Sequence, residues 1–407
     1  MTDDEQSEAL QPASVRLASE IRRRRTEVGL SQPQLAQRIG YTRQYVSLAE
    51  RPDHNLPSRD LVRALDHALD ANGALMALRD EGRREQRQLH QRVTPEAALM
   101  ALDAFVDVPK SRPGALRYVT ALVTRLHSTY QAARYDEVGR ALPEVMRKVD
   151  YLLPGSGRED RRQTLRVKCE AAIVEAKLAT KLGDGATAYA AAERALDLAE
   201  QAEDPVGRAA ASYQLTCALL RLGDAEEAER NAVESAEKVD QNDPASLSMR
   251  GSLTLISAII AARRKETAEA ERRLGHAEQL AERLGRDANI GFSAFGPSNV
   301  QIHRMSAAVA LDDPHSVLTL GERLDLTAMP PGLYGRQGQV NLDSAWACAQ
   351  LGADLLAVIY LLEADRVASE LLKGSRTART VVGQLLARER RHATPGLRGL
   401  AQRIGVI

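Results

Sequence analysis

The sequence predicts an all-α protein in two parts, a small domain of short helices followed by a long array of helix pairs. Aromatic residues make up only 3% of the chain, and the strong helix formers Ala, Leu, Arg and Glu dominate over β-branched runs. Helix start and stop signals alternate near the N-terminus, and helix pairs recur farther on at a spacing of forty residues. With 407 residues, the chain is long enough for two or more domains and a sizeable core.

Charge and cysteine usage exclude several classes of protein. The chain has 55 basic and 55 acidic residues, so a nucleic-acid partner requires that charge segregate locally. Cys169, Cys217 and Cys348 are distant from one another and lack a C-x-x-C pair, which fits neither a disulfide framework nor a zinc site. No signal peptide is expected, and the most apolar stretch, residues 253–262, is too short to span a bilayer. We therefore expect a cytoplasmic protein with no membrane partner.

Changes in composition place the expected domain boundaries. An acidic start without basic residues predicts disorder, and a run containing two prolines and a glycine before residue 115 predicts a linker. The expected organisation is a disordered acidic tail at 1–13, a helical domain at 14–82, a linker with a short helix at 83–114, a helical-repeat domain at 115–395 and a C-terminal tail at 396–407.

Residues 14–63 form the basic segment of the chain. Ten arginines face five acidic residues there, a local net charge of +5. A first helix is predicted over residues 15–28 and ends at Gly29. Ser58 is expected to cap the last helix of the segment, which carries leucines at helical spacing.

Between these lie two short helices separated by a tight turn. Ser31 is predicted to start the first of them through a capping box with Gln34, and Gly40 ends it. Thr42 is expected to cap the second, which continues to about Glu50. Two capped helices joined in this way are the arrangement of a helix-turn-helix motif.

The same residues resemble a known family. The sequence of residues 30–51 is LSQPQLAQRIGYTRQYVSLAER, and it is similar to the helix-turn-helix core of the xenobiotic-response-element family, to which phage lambda repressor and Cro belong. The resemblance covers about residues 15–70. Ala49 replaces the usual isoleucine, and Leu48 occupies a position where a polar residue is common, which weighs against Leu48 as a base contact. The resemblance implies a domain that binds double-stranded DNA.

The second helix of the motif is expected to enter the major groove, where its N-terminal residues reach base edges. Arginine recognises guanine and glutamine recognises adenine, each pairing being worth about 1–3 kcal/mol of discrimination. Gln32 resembles the family glutamine that holds a phosphate and supports the recognition helix. The predicted base contacts are Arg43, Gln44 and Ser47, and Thr42 is a further predicted DNA contact. The predicted phosphate contacts are Arg22, Arg23, Arg24, Arg25, Arg38 and Arg51. Taken alone, the run of four arginines also fits a solvated helix face.

The remainder of the chain predicts a helical-repeat array. Residues 178–184 recur in shorter form as 219–224, and Leu311 aligns with Leu351 forty residues later. Each match is a tight turn between antiparallel helices, followed by an Ala-rich helix. The predicted pairs are 115–152, 161–202, 206–240, 245–284, 298–325 and 333–370, closed by a helix at 376–391. Such arrays bury their core between repeats and present a concave inner surface.

The array resembles tetratricopeptide-like repeats in architecture, although its period exceeds their usual 34 residues. Together with the N-terminal motif it is similar to the peptide-sensing regulators of quorum sensing and to helix-turn-helix regulators of high-GC bacteria, in which the run Phe295-Gly296-Pro297 is familiar. That resemblance implies an array that dimerises and holds a peptide or small-molecule effector in its groove. The candidate effector contacts are Arg208, Tyr213, Arg250, Asn299, His303, Arg336, Gln339 and Asp343.

Each of these candidates has a structural alternative. Asn299 follows Pro297 and also fits a helix cap, while His303 also fits a buried histidine between repeats. Trp346 and the three cysteines lie on apolar faces and are expected in the core. No set of nucleophile, base and orienting group, no metal-ligand spacing and no phosphate-binding loop is present, so we expect no enzyme activity and no cofactor.

The sequence thus predicts a homodimeric transcription regulator that binds a pseudo-palindromic operator. The alternative is a protein-interaction scaffold, in which the array binds a partner protein and the N-terminal domain is a minor tether.

Overall fold

The computed structural model describes the chain as two units, residues 1–106 and 107–407. Within each unit the described residues are helices joined by turns, and no strand occurs among them, which confirms the all-α prediction. The residues described are 11–41, 43–51, 57, 59–92, 112–152, 157–240, 242–389, 394 and 396–407.

The N-terminal unit contains five described helices. Apolar residues at helical spacing bury one face of each helix, and the side chains of Leu17, Ile21, Leu35, Val46 and Leu65 are fully buried at the centre. Burying an apolar side chain of this size contributes roughly 1.5–3 kcal/mol. The helices are α1 (Ala13–Glu27), α2 (Gln32–Ile39), α3 (Arg43–Ala49), α4 (Arg59–Ala68) and α5 (Ala74–Arg92).

The start and end of α2 follow the sequence signals. Ser31 accepts a hydrogen bond from Gln34 N, and the Gln34 side chain accepts one from Ser31 N at 2.8 Å, so the predicted capping box is confirmed. Gly40 ends the helix in the left-handed conformation, with a φ of 72°. A glycine is favoured there because that conformation strains residues with a Cβ. The predicted caps Thr42 and Ser58 and the short helix expected near residue 94 lie outside the described residues.

Two expected boundaries differ from the structure. Ala13, expected in the acidic tail, is helical and fully buried, because it packs at the start of α1. The expected linker at 83–114 is entered by helices from both sides, since α5 runs to Arg92 and the next helix begins at Arg112. Pro113 does not prevent that earlier start, because proline is tolerated in the first turn of a helix.

The second unit is an array of six antiparallel helix pairs, as predicted. The first helices of successive pairs contact one another, and small residues such as Ala191, Ala195 and Ala232 are buried where the second helices pack. The pairs are α6 (Arg112–Gln131) with α7 (Tyr135–Asp150), α8 (Arg158–Leu182) with α9 (Gly185–Gln201), α10 (Pro205–Leu222) with α11 (Ala225–Lys238), α12 (Pro244–Arg263) with α13 (Thr267–Leu284), α14 (Pro297–Ala310) with α15 (Pro314–Arg323), and α16 (Tyr334–Gln350) with α17 (Asp354–Gly374).

The repeated turns have one physical explanation. Gly183 and Gly223 end their helices in the left-handed conformation, with φ values of 86° and 89°. The next residues, Asp184 and Asp224, accept hydrogen bonds from backbone N–H groups in the first turn of the following helix, at 3.0 and 3.1 Å. The Leu-Gly-Asp sequence therefore supplies the stop of one helix and the cap of the next.

The C-terminal end of the array is longer than expected. The closing helix α18 (Arg376–Ala387) begins where Ser375 accepts a hydrogen bond from Ala378 N. The expected tail at 396–407 contains a further helix, α19 (Leu397–Arg403), whose Leu397 and Leu400 are fully buried. These leucines pack on α17 and α18, so the last residues complete the core of the sixth pair.

The insertion between α13 and α14 connects the fifth pair to the first. Gln131 and Asn289 exchange two side-chain hydrogen bonds, at 2.9 and 2.8 Å. The sixth pair also meets the first, because Glu370 accepts a hydrogen bond from Asp136 N at 2.7 Å. The array therefore curves far enough for its last pairs to contact its first.

The sequence Phe295-Gly296-Pro297 fixes this insertion. Phe295 is fully buried against α12, where Gly251 leaves room for its ring. Gly296 lies so close to the backbone of Asp287 that a Cβ would be 2.6 Å from its Cα. Asp287 in turn accepts a hydrogen bond from Ser298 N at 2.9 Å and supports the start of α14.

Helix α12 is the one described helix that is long and apolar enough to cross a membrane. It extends beyond the apolar stretch identified from the sequence, but 83% of its most apolar window is buried inside the protein. Helix α12 packs against α10, α11, α13 and α14, and this packing buries it as a core helix.

We expect Gly251→Ala to destabilise the array. The new Cβ would lie 2.0 Å from Phe295 Cζ, and overpacking of a well-packed core costs about 1–3 kcal/mol. Gly275→Ala in α13 is the matched control, because its Cβ meets no atom within 4 Å and alanine favours helix by about 1 kcal/mol. Thermal unfolding should show a lower Tm for the first variant and an unchanged or higher Tm for the second. Equal Tm values would contradict the close packing of Phe295 on Gly251.

Candidate nucleic-acid interface and array cavity

Helix α3 occupies the position of a recognition helix. Its inward residues Val46 and Ala49 are buried, at 0% and 2% exposure, so they attach the helix to the domain core. Arg43 at its first position is exposed, and Ser47 one turn later is partly exposed. The N-terminal turn of α3 is therefore available to a ligand. Two predicted contacts fall outside the part of the chain that the structure describes, the residue Thr42 and the side chain of Gln44.

A buried carboxylate fixes the other end of α3. Glu50 directly follows the helix and is 7% exposed. Gln32 donates a hydrogen bond to Glu50 Oε2 at 2.9 Å, and Arg25 Nη2 donates to the same oxygen at 3.0 Å. Arg25 also donates to Leu30 O at 2.7 Å. Gln32 thus supports the recognition helix directly, and Arg25, expected as a phosphate contact, is instead a structural ion pair.

The remaining arginines predicted to contact DNA divide into two groups. Arg23 forms ion pairs with Glu20 and Glu27 on its own helix, and Arg24 pairs with Glu20. Exposed pairs of this kind are worth only about 0.3–0.5 kcal/mol, but they compensate the local charge. Four other predicted DNA contacts are exposed and form no ion pair with a described residue, namely Arg22, Arg38, Arg43 and Arg51.

The array encloses a cavity of about 260 Å³. Its wall is built mainly from the first helices of the pairs, α6, α8, α10, α12 and α16, and from the insertion at residues 291–294. These helices form the concave side of the array, so the cavity lies where the sequence predicted an effector groove. A volume of this order is at the small end of ligand sites in proteins.

Three of the eight predicted effector contacts line this cavity, Tyr213, Arg336 and Gln339. Arg336 lies close enough to Tyr213 to lower the pKa of its hydroxyl against the effect of burial. The Gln339 side-chain amide donates a hydrogen bond to Asp343 Oδ1, one turn later on α16, at 2.7 Å. These three residues therefore lie on the inner face of α10 and α16.

The other five predicted effector contacts lie outside the cavity wall. Asn299 and His303 are 1% and 8% exposed, and His303 Nδ1 lies 2.8 Å from Asn299 O, which agrees with the structural alternative of a buried inter-repeat histidine. Asp343 is buried and accepts a hydrogen bond from Ser306 at 2.7 Å. Arg250 donates to Val239 O, and Arg208 borders a shallow depression beside Glu203 and Asp204.

Sequence reasoning missed the two lysines of the cavity. Lys177 and Lys181 lie one turn apart on α8 and both line the wall. A signal was present, because the chain has only eight lysines among its 55 basic residues and two of them are four residues apart. Cys217, expected in the core, also lines the cavity. Nothing in the sequence indicates that α8 and α16 share a cavity.

Burial controls the protonation of the groups around the cavity. It lowers the pKa of Lys177 and of Lys181 to about 8, with Arg336 adding to the effect. It raises the pKa of Tyr213 to about 12 and that of Cys217 to about 11, so both are neutral near pH 7. Burial also lowers the pKa of His127, next to Lys177, to about 4. Desolvation disfavours the charged form in each case.

We expect Glu50→Ala to destabilise α3 relative to its domain. The side chains of Glu50 and Arg25 are 3% and 14% exposed, and removing one partner of a buried ion pair costs about 3 kcal/mol. Hydrogen exchange of the full chain should show amides of α2 and α3 exchanging about 100-fold faster. Glu27→Ala removes a carboxylate that is 57% exposed, and it should change stability by no more than about 0.5 kcal/mol. Similar exchange rates in the two variants would rule out the proposed support of α3.

Comparison with known protein families identifies a helix-turn-helix domain at residues 16–79. The matched residues extend from α1 into α5 and lie entirely within the N-terminal unit. Comparison with curated proteins finds no match to the chain. The N-terminal unit is therefore a helix-turn-helix domain, the domain type of DNA-binding transcription regulators.

Proposed function

We propose that the protein is a sequence-specific transcription regulator of the xenobiotic-response-element type. The proposal rests on how α3 is held in its domain. Arg43 is exposed at the N-terminal end of the helix, and Glu50 fixes the C-terminal end. A helix held in this way can enter the major groove with its first turn against the base edges. Arg43 is then placed to contact a guanine, with Gln44 and Ser47 as further base contacts.

The proposal includes a homodimer on a pseudo-palindromic operator. A two-fold symmetric protein matches two half-sites that are one helical turn, or a multiple of one turn, apart. Arg22, Arg38 and Arg51 are the proposed phosphate contacts, because they are exposed and unpaired within the described residues. Contacts of this kind position the protein without reading sequence.

The array is proposed as a tetratricopeptide-like sensor that dimerises and responds to an effector. Its support is the cavity on the concave side, which Tyr213, Arg336 and Gln339 line. An enzyme activity is not part of the proposal, and the proposed location is the cytoplasm, on DNA. In the alternative, a scaffold, the array would bind a partner protein and the N-terminal domain would show no preferred DNA site.

Selection of bound DNA from random fragments at physiological salt separates these two functions. A regulator should enrich a palindromic motif and bind it at least about a thousandfold more tightly than random DNA. Titration of the enriched site in the presence of competitor DNA measures that ratio. Absence of an enriched motif, with the array folded, would contradict the regulator and favour the scaffold.

Arginine variants test the division between base and phosphate contacts. Arg43→Ala should weaken binding to the selected operator by about 1–3 kcal/mol and relax the preference at one base pair, with a smaller loss on random DNA. Arg22→Ala should weaken binding to all sequences equally and reduce the salt dependence by about one counterion. Arg23→Ala should act in the same way but less strongly, because Glu20 and Glu27 already compensate its charge. Equal losses on operator and random DNA for Arg43→Ala would remove it from the base-reading set.

A further inference from the structure

Three cations line the array cavity, and no described carboxylate lies within ion-pair distance of any of them, although Glu170 acts on Lys177 from farther away. Lys177 and Lys181 come from the second helix pair and Arg336 from the sixth. The described wall contains no Asp or Glu, and none of the three cations forms an ion pair with a described carboxylate. The nearby carboxylate Glu170 is directed to His127, with Oε2 2.8 Å from Nε2. A half-buried cluster of like charges without an ion-pair partner costs stability, and such a cluster is a candidate binding site.

Neutral hydrogen-bonding groups accompany the cations. Tyr130 and Tyr213 bring hydroxyl groups to the wall, and Gln131 and Gln214 bring amides. Thr180, between the two lysines on α8, has a buried Oγ1 with no hydrogen-bond partner among the described residues. A hydroxyl that is buried and unpaired costs free energy unless a ligand satisfies it. The polar side of the cavity therefore offers donors at several positions.

The other side of the cavity is apolar. Ile173, Ala210, Met249, Leu333 and Leu371 contribute aliphatic surface, and Phe292 contributes an aromatic ring. Apolar atoms make up the larger part of the exposed cavity surface. A ligand that fills about 260 Å³ here must combine a polar head with an apolar body.

We propose that the cavity binds a small organic anion, with its carboxylate or phosphate oxygens at Lys177, Lys181 and Arg336 and its apolar body against Ile173, Met249 and Leu371. The inference rests on the effector sensing proposed above and names the chemical class of the effector. Ammonium and guanidinium groups are the donors that bind oxyanions most strongly, and Arg336 can bind two oxygens at once. The bound anion supplies the negative charge that the protein wall lacks.

The position of Lys177 is fixed before a ligand arrives. Its Nζ lies 3.3 Å from His127 Nδ1, and the His127 ring stacks on Phe292 with centroids 4.1 Å apart. A neutral imidazole with its hydrogen on Nε2, beside Glu170, leaves Nδ1 free to accept from the lysine. Lys177 then keeps two N–H groups for the anion. Preorganisation of this kind lowers the entropic cost of binding.

Three probes of equal chain length test the chemical class, namely hexanoate, hexyl phosphate and 1-hexanol. We expect hexanoate and hexyl phosphate to bind the full-length protein in calorimetric titration and to raise its Tm, and the uncharged alcohol to bind at least about tenfold more weakly. Inorganic phosphate, which lacks the apolar body, should bind more weakly than hexyl phosphate. A preference for the phosphate or the carboxylate probe identifies which oxyanion the cavity accepts. Equal binding of the alcohol, or no anion binding at millimolar concentration, would overturn the proposal.

The variants Lys181→Met and Arg336→Met separate a binding role from a structural one. Each should weaken hexanoate binding by at least about tenfold, the loss of one charge-assisted hydrogen bond. Lys181→Met should also raise the Tm of the ligand-free protein, because it removes a half-buried charge without an ion-pair partner. Lys238→Met is the control, since Lys238 is 66% exposed and pairs with Glu234. Wild-type affinity for hexanoate in Lys181→Met would reject the site. A lower Tm of this variant without ligand would assign Lys181 a structural role and would also contradict the proposal.

The affinity for hexanoate should fall as the pH rises from about 7 to 9. The two lysines have pKa values of about 8 in the ligand-free protein, so they are mostly protonated at the lower pH and mostly neutral at the higher one. The carboxylate stays ionised throughout. Among the groups that face the lysines, burial raises the pKa of each tyrosine and of the cysteine and lowers that of the histidine, so these remain neutral in this range. The groups facing them are His127, Tyr130, Tyr135, Glu170, Tyr213, Cys217, Arg221 and Arg336.

The DNA selection distinguishes failure of this inference from failure of the proposed function. A selected operator without anion binding would reject the anion site and leave the regulator intact. Anion binding that depends on Lys181, in a protein that selects no operator, would support the site and contradict the regulator.

Discussion

The contacts of the first helix pair with the insertion before α14 and with the sixth pair are the constraint on which the array cavity depends. Gln131 and Asn289 are 158 residues apart in the chain, and the amide of Asp136 lies 234 residues from the carboxylate of Glu370 that binds it. Bringing residues so far apart in the chain into contact costs conformational entropy, and this cost grows only slowly with the length of the intervening segment. As a result of the contact, α16 and α8 line the same cavity. An array that failed to close would leave Arg336 and the two lysines solvated separately, and no anion could bind all three.

The curvature that allows closure arises from local rules repeated along the chain. Leu-Gly-Asp turns end one helix and cap the next, and buried alanines let the second helices pack closely on the first helices beside them. The insertion before α14 departs from the period, and glycine at 251 and 296 gives it the space to pack against α12 and Asp287. Residues 291–294 of that irregular segment form part of the cavity wall.

The difference between local turns and contacts distant in sequence explains which features the sequence could predict. The capping box at Ser31 and the turn at Gly183 depend on residues three or four positions apart, so composition and spacing were sufficient for them. The cavity depends on helices from the second and sixth pairs, and on the rotation of each helix about its axis, about 100° per residue. Tyr213 lies on the inner face and lines the cavity, whereas Asn299 and His303 share a face that is buried in packing. A periodic pattern shows that residues share a face, and contacts distant in sequence decide what that face meets.

The two units also show how the pairing of a cation indicates its role. In the N-terminal unit, Arg25 is neutralised by Glu50, and the pair holds the recognition helix in place. In the array, Arg264, Arg273 and Arg304 pair with glutamates of neighbouring helices in the same structural way. A chain with as many acidic as basic residues has carboxylates enough to neutralise Lys177, Lys181 and Arg336 as well. The described wall of the cavity lacks them, and the anion that we propose there would connect the second helix pair to the sixth.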